Sequence, residues 1–325
     1  LFCDLPIENI IEAVDLTSSL YEIPMAMERQ GIADLATDTL HLPRRPLSMT
    51  EWQDMLDRLN HPTGTVRIAM VGKYMDLHDA YLSVTEAIRH GGIHNRVNVE
   101  IKYVDSEKVT DETVDELLGD VCGILVPGGF GDRGIEGKIR AAQYARENGI
   151  PYLGLCLGLQ IAVIEFARHA CGLEGAHSRE FDEGSPHPVV IYLKEQEYIT
   201  RLGGTMRLGA YPCVLKEGSL AEQLYGSREI SERHRHRLEV SNAYREPLAA
   251  QGMVFCGTSP EGDLVEMIEL PDHPFFLASQ FHPEFKSRPN RAHPMFRGFI
   301  AAGIKYCQDH GIATECAAEG TEAEL

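Results

Sequence analysis

Cys156 stands between two glycines, in Gly154-Leu155-Cys156-Leu157-Gly158, and a thiol framed in this way is equipped for nucleophilic attack. An apolar run ending in Tyr152 and Leu153 reads as a buried strand. Directly after it, Leu159, Val163, Phe166 and Ala170 recur at helical spacing. The cysteine therefore sits on a strand-turn-helix, the nucleophile-elbow pattern with sulfur in place of a serine oxygen. The glycines let the backbone turn sharply without a Cβ clash. The turn lifts the thiol above the sheet at the positive end of the following helix, which favours thiolate. One buried cysteine among eight would be the bland reading, and the elbow context argues against it.

A thiolate needs a base, and the base needs an orienting group. His282-Pro283-Glu284 closes the apolar run 275–281, at the C-terminal strand edge where active sites of open α/β sheets gather. Two positions apart on extended backbone, both side chains point the same way. The imidazole then faces Cys156 while Glu284 holds its other nitrogen. Val126-Pro127-Gly128-Gly129-Phe130-Gly131 follows another strand and offers N–H groups free of side-chain obstruction. Gly128 and Gly129, with the N–H of Leu157, are the expected oxyanion donors.

These groups need a scaffold that brings them to one edge. From Thr65 onward, strands over 66–71, 97–104 and 123–126 alternate with helices over 79–90, 111–118 and 137–148. The strand into Cys156 and a helix over 157–170 complete the run. That alternation predicts a doubly wound, mostly parallel α/β sheet with flanking helices. Beyond it the pattern turns β-rich, with strands over 188–193, 206–215, 253–257, 264–270 and 275–281, then a last helix over 293–310. Residues 1–45 hold a strand-like Leu1-Phe2-Cys3 and short helices over 6–13 and 24–31, too little for a domain alone. A linker with a helix occupies 46–64, where Thr50-Glu51-Trp52-Gln53 predicts a capping box. The main domain is expected over 65–312. Residues 313–325, small and acidic, read as a disordered tail.

Composition excludes several classes. A formal charge of −19 argues against a general nucleic-acid binder, because phosphate contacts need clustered Lys and Arg. No apolar run approaches the ~18 residues of a membrane span, so no membrane partner is expected. The eight cysteines show no CxxC pair and no metal-like spacing with histidine. Free thiols in a reducing cytosol, and no metal, are the expectation.

Cys156, His282, Glu284 and Gly128-Gly129 together resemble the class I glutamine amidotransferases of the triad type. Further stretches narrow the resemblance to the CTP synthase family: Val71-Gly72-Lys73-Tyr74, His90-Gly91-Gly92, Gly203-Gly204-Thr205-Met206-Arg207, Glu232 to Arg237 and Gln280 to Phe285. The resemblance implies glutamine hydrolysis, with ammonia passed to an ATP- and Mg2+-dependent site that aminates UTP to CTP. It assigns the glutamine α-ammonium to Glu180 and the α-carboxylate to Arg237, with Gly128 and Gln160 also lining the substrate pocket. Recognition of a zwitterion by one opposite charge at each end is physically sensible. It further implies activation by GTP near Phe130, Gly131 and Arg133, a cytoplasmic location and a homotetramer at full length. The segment 191–202 is shorter than the family leads one to expect. No G-x-x-x-x-G-K-[ST] loop occurs, and the chain opens at Leu1 inside an apolar segment. The expectation is a glutaminase portion preceded by the end of a synthetase domain at 1–45, without the ATP site. The alternative is a catalytically silent assembly or filament module of the same family.

Overall fold

Strand β1 (Thr65–Gly72) is buried almost from end to end, because a strand covered on both faces has no polar side to alternate with. The computed structural model describes residues 5–15, 19–75, 77–193 and 206–312, and the chain divides into two compact units, Leu1–His61 and Pro62–Leu325. The first unit carries α1 (Ile23–Glu28), α2 (Ile32–Thr39) and α3 (Thr50–Asn60). Inside it the indole of Trp52 donates to the Tyr21 carbonyl at 2.7 Å. The helix α3 forms as expected, but Met49 rather than Thr50 is its N-cap and no side chain caps it. The helix expected over 6–13 is a single 3-10 turn, Ile7–Asn9. The strand-like Leu1-Phe2-Cys3, the 313–325 tail, Gly203-Gly204-Thr205 and most of the 191–202 segment, where a shortening was expected, lie outside the described residues.

In the second unit, β1 is followed by α4 (Leu82–Asn95), β2 (Asn98–Asp105), α5 (Val114–Leu118), β3 (Gly123–Val126), α6 (Ile135–Glu147), β4 (Tyr152–Leu155) and α7 (Leu157–His169). Then come β5 (Ala176–Ser178), β6 (His187–Tyr192), β7 (Arg207–Leu215), α8 (Leu220–Tyr225), β8 (Glu229–His236), β9 (Leu238–Val240) and α9 (Arg245–Ala250). The unit ends with β10 (Val254–Thr258), β11 (Val265–Glu269), β12 (Phe276–Ser279) and α10 (Pro294–His310). The main sheet runs β2-β1-β3-β4-β12-β11-β10-β7-β8. Its first five strands are parallel and the last four antiparallel. A small second sheet, β5-β6-β9, is not hydrogen-bonded to it and packs against α7. Apolar clusters cover both faces of the main sheet, one involving α6 and α7, the other α4 and α10. This is the doubly wound arrangement, with helices on both faces of the parallel half.

Two features depart from the sequence reading. The expectation of free cysteines fails at Cys122 and Cys307, which are joined as a disulfide with Cα atoms 5.5 Å apart. Cys122 directly precedes β3 and Cys307 lies in α10 packed over the sheet, a meeting that a separation of 185 residues concealed. Cys156, Cys171, Cys213 and Cys256 are free. Strand β8 was also not anticipated. Its inward row is Glu232, His234 and His236, all buried, so no apolar alternation announced it.

The helix that begins at the elbow is tied to its neighbour through charge. Glu165 of α7 is wholly buried and takes three hydrogen bonds from Arg146 of α6, at 2.8 to 3.1 Å, with His169 at 3.3 Å. Removing one partner of a buried pair strands the other charge. Arg146→Ala should therefore destabilise the fold by about 3–5 kcal/mol, read as a lower urea midpoint. An unchanged midpoint would show that Glu165 is held by other groups.

Candidate active site

The thiol of Cys156 stands at the junction of β4 and α7, at the N-cap of that helix, with φ 51° and ψ −97°. A non-glycine residue rarely takes positive φ, and here the turn between sheet and helix imposes it. The glycines on either side serve a purpose other than the one expected from sequence. Neither has positive φ; each permits close approach. A Cβ on Gly154 would stand 2.6 Å from the Gly158 carbonyl oxygen, and one on Gly158 only 2.2 Å from that of Val126. Strand β12 lies beside β4 in parallel, with Ser279 opposite Leu155, so the residues after both strands emerge at one edge.

His282 is the N-cap of a short 3-10 turn, Pro283–Lys286, and not the end of an extended strand. The strand stops at Ser279, and the turn curls Glu284 back toward the imidazole. Nδ1 of His282 lies 2.7 Å from Oε1 of Glu284. Both are largely buried, and Nε2 of His282 has no hydrogen-bond partner of normal geometry within the protein. Burial alone would discourage the imidazolium. The Cys156 sulfur and Glu284 outweigh it and raise the histidine to about 10. The backbone of this loop is held from β8, because the His282 N–H donates to the Arg233 carbonyl at 2.8 Å.

Gly128 belongs to the loop after β3, the strand next to β4 on its other side. A Cβ there would meet the His282 ring at 2.9 Å, so only glycine lets the imidazole sit against this loop. Gly128, Gly129, Phe130, Cys156, His282 and Glu284 line one cavity of about 310 Å³. Leu157 opens α7, and the N–H of a first helical residue has no partner inside its helix. The arrangement has the parts for acyl transfer: a thiol, an imidazole with an orienting carboxylate, and backbone donors nearby.

The other residues singled out from sequence are placed as follows. Oε1 of Glu180 accepts from the Gly131 N–H at 3.4 Å and lies 3.9 Å from the Arg237 guanidinium. The Arg237 Nε is buried without a partner. Gln160 is buried in the first turn of α7 and does not line the cavity; its amide meets that of Gln280. Lys73 donates to the Phe130 carbonyl, and the Arg133 guanidinium lies over the Tyr74 ring, 4.7 Å from its centre. Sequence reasoning missed Arg235, which lines the cavity and stacks over Phe130 at 5.8 Å. The alternation of Arg233-His234-Arg235-His236 was the available signal, since every second residue of a strand shares a face. It also missed the 79–84 wall of the cavity. Among the described residues, His234, His236 and Glu266 bring donor atoms within 4.8 Å of one another. Arg207 already supplies a cation there, bonded to Glu266 at 2.5 Å.

The profile described as "Glutamine amidotransferase class-I" matches residues 76–302. The CTP synthase of Pelotomaculum thermopropionicum is 54% identical over 306 residues, 94% of this chain and 57% of that protein. That of Caldanaerobacter subterraneus is 55% identical over 302 residues, 93% of this chain and 56% of that protein. The chain thus spans a little over half the length of these relatives. Among solved structures, the Trypanosoma brucei CTPS glutaminase domain with bound acivicin superposes with a TM-score of 0.70. It is 42% identical and covers 74% of this chain and 94% of that one.

Two measurements test the geometry. Iodoacetamide should modify Cys156 ahead of Cys171, Cys213 and Cys256, whose thiols are all pushed up chiefly by burial. Equal modification of Cys171 in peptide mapping would remove the case for a special sulfur. The second concerns His282. A pKa raised above its ordinary value means that the pair's stabilisation is complete below the ordinary histidine range and is lost as pH climbs through about 10. Glu284→Gln should lower that value in an NMR titration and shift the loss of stability to lower pH. An unmoved His282 resonance would mean that Glu284 does not support the imidazolium.

Proposed function

The chain belongs to the class I glutamine amidotransferases, within the CTP synthase family, and from that premise we propose that it hydrolyses glutamine through Cys156, His282 and Glu284. What supports this most directly is the convergence of those three residues with Gly128 and Gly129 on one cavity. The Cys156 thiolate attacks the side-chain carboxamide carbon. As the C–S bond forms, the carbonyl oxygen becomes an oxyanion, which the Gly129 and Leu157 N–H groups receive. His282, as imidazolium, gives its Nε2 proton to the leaving nitrogen; the C–N bond breaks and ammonia departs. Water then attacks the thioester and passes a proton to His282. Glutamate leaves and the thiolate returns. Glu284 holds the ring in one orientation throughout and offsets its positive charge.

Glu180 and Arg237 hold the two ends of the amino acid. At 3.9 Å the two charges are close without a short hydrogen bond between them, so both retain capacity for a zwitterion. Gly128 shapes the pocket floor, while Gln160 acts from behind it. GTP is assigned to the face of Phe130, Gly131 and Arg133. Guanidinium groups over Phe130 and Tyr74 are suited to a base and its phosphates. Ammonia is passed to an ATP- and Mg2+-dependent amination of UTP, carried by a part of the relatives' length that this chain does not span. Assembly of the complete enzyme as a tetramer belongs to the same proposal. No helix among the described residues is long and apolar enough to cross a membrane.

Arg237→Ala should raise the KM for glutamine with little change in kcat, by the roughly 1.5–3 kcal/mol of a charge-assisted contact. An unchanged KM would mean that the carboxylate is held elsewhere. Cys156→Ala should abolish release of ammonia and glutamate from glutamine. Residual hydrolysis at the wild-type rate would refute the proposed nucleophile.

A further inference from the structure

We propose that Gln280 is a catalytic residue that donates a hydrogen bond to the Cys156 thiolate, and that Gln160 is the positioning residue that aims it. The inference rests on the reading of Cys156 as the nucleophile, and not on glutamine being the substrate. Gln280 follows β12 by one residue, and Ser279 pairs with Leu155. The next step of the same register brings Gln280 beside Cys156. Its Nε2 lies 3.6 Å from the sulfur, and its side chain is wholly buried. A primary amide is costly to bury unless both of its ends are used. Here the other end is taken: Oε1 of Gln280 accepts from Nε2 of Gln160 at 3.2 Å. With Oε1 engaged by Gln160, the NH2 group is the end turned toward the sulfur. The backbone is pinned as well, since the Gln280 N–H donates to the Glu266 carbonyl at 2.8 Å.

The sulfur consequently has one partner for each of its protonation states. As a thiol it donates to the Arg235 carbonyl, 4.0 Å away; as a thiolate it accepts from Gln280. A hydrogen bond to the charged form favours that form. Gln280 also differs from the other groups around the sulfur in carrying no charge and no labile proton. The titratable groups facing the cavity are Asp79 and Tyr81 ahead of α4, Arg235 on β8, and His282 and Glu284 after β12. Of these, His282 must release and regain a proton in each turnover, so its support of the sulfur varies. The amide's does not. Sulfur leaves as thiolate when the thioester breaks, and the same donor is in place for that step. Gln160 sits one helical turn beyond Cys156, so nucleophile and positioning residue share a single rigid element.

The test is the pH dependence of Cys156 alkylation by iodoacetamide, which needs no glutamine, followed by intact mass with near-UV circular dichroism as the check on folding. Gln280→Met should move the profile toward alkaline pH and slow alkylation roughly tenfold below the midpoint, the scale of a hydrogen bond to a charged group. The rate on the alkaline plateau should stay at the wild-type value, whereas a merely structural disturbance would move the plateau. Gln280→Glu should shift the profile further, by placing an acceptor and a charge beside the thiolate. Gln160→Met should shift it in the same direction by less. A folded Gln280→Met protein with the wild-type profile overturns the proposal. If Gln280→Met does not fold, Gln160→Met decides, and an unshifted profile there overturns it equally. A shifted profile in a protein that releases no ammonia from glutamine would leave this inference standing and sink the proposed substrate instead.

Discussion

The approach of Gly158 to the Val126 carbonyl is the constraint on which the site depends. With only 2.2 Å between that oxygen and a notional Cβ, helix α7 can descend onto the sheet only because the position is glycine. The approach leaves one residue in which to turn from β4 into the helix, and Cys156 takes the unfavourable backbone angles that result. The strain is sustained by what surrounds it. Tyr152 is fully buried, stacks on Phe276 and donates to the Gly158 carbonyl at 2.9 Å. The Cys156 N–H is taken by the Ser279 carbonyl at 2.7 Å. The elbow is thus bonded to β12, the strand that leads to the histidine.

The antiparallel half of the sheet reaches the same site by different physics. Strand β8 turns Glu232, His234 and His236 inward and leaves Arg233 and Arg235 on the opposite face. An inward row of this kind is stable only if each member is paired. Glu232 receives His293 at 3.1 Å and Tyr225 at 3.2 Å, while His234 and His236 bond each other at 3.0 Å. Burial, with the nearby positive groups Arg207 and His282, drives the two histidines down to about 2 and about 3, so both are neutral near neutral pH. The strand can therefore present arginines on its outer face without a matching row of buried cations behind them. Lys286 reaches from the Pro283–Lys286 turn to Glu232 at 3.3 Å, tying that turn to the same network.

The parallel half was legible because its chemistry and its hydrophobic pattern coincide. Gly123 to Val126 and the strand into Cys156 are short apolar runs with glycine two or three residues past their ends, and the chain offers few other structures for such runs. The contact of His282 with Glu284 was foreseen, but for a strand rather than the turn that makes it; residues two apart can meet by either route. β8 escaped notice because its buried face is polar. The Cys122–Cys307 bond escaped notice because spacing along the chain carries no information about a helix returning over the sheet.

By itself the sequence determined which groups are present to do chemistry: a thiol at a glycine-framed turn, a histidine with a carboxylate two residues on, and a glycine loop after a strand. Local pattern suffices for these because each is set within about one turn of backbone. Only the tertiary structure decided how they serve one another. It placed Gln160 behind the thiol instead of in the cavity, brought Arg235 into the cavity wall, and set Gln280 against the sulfur. Those relations are fixed by the register between β4 and β12 and by the face that β8 turns inward. Register and facing arise from packing between segments well separated along the chain, more than a hundred residues in the case of β4 and β12, which no local pattern encodes.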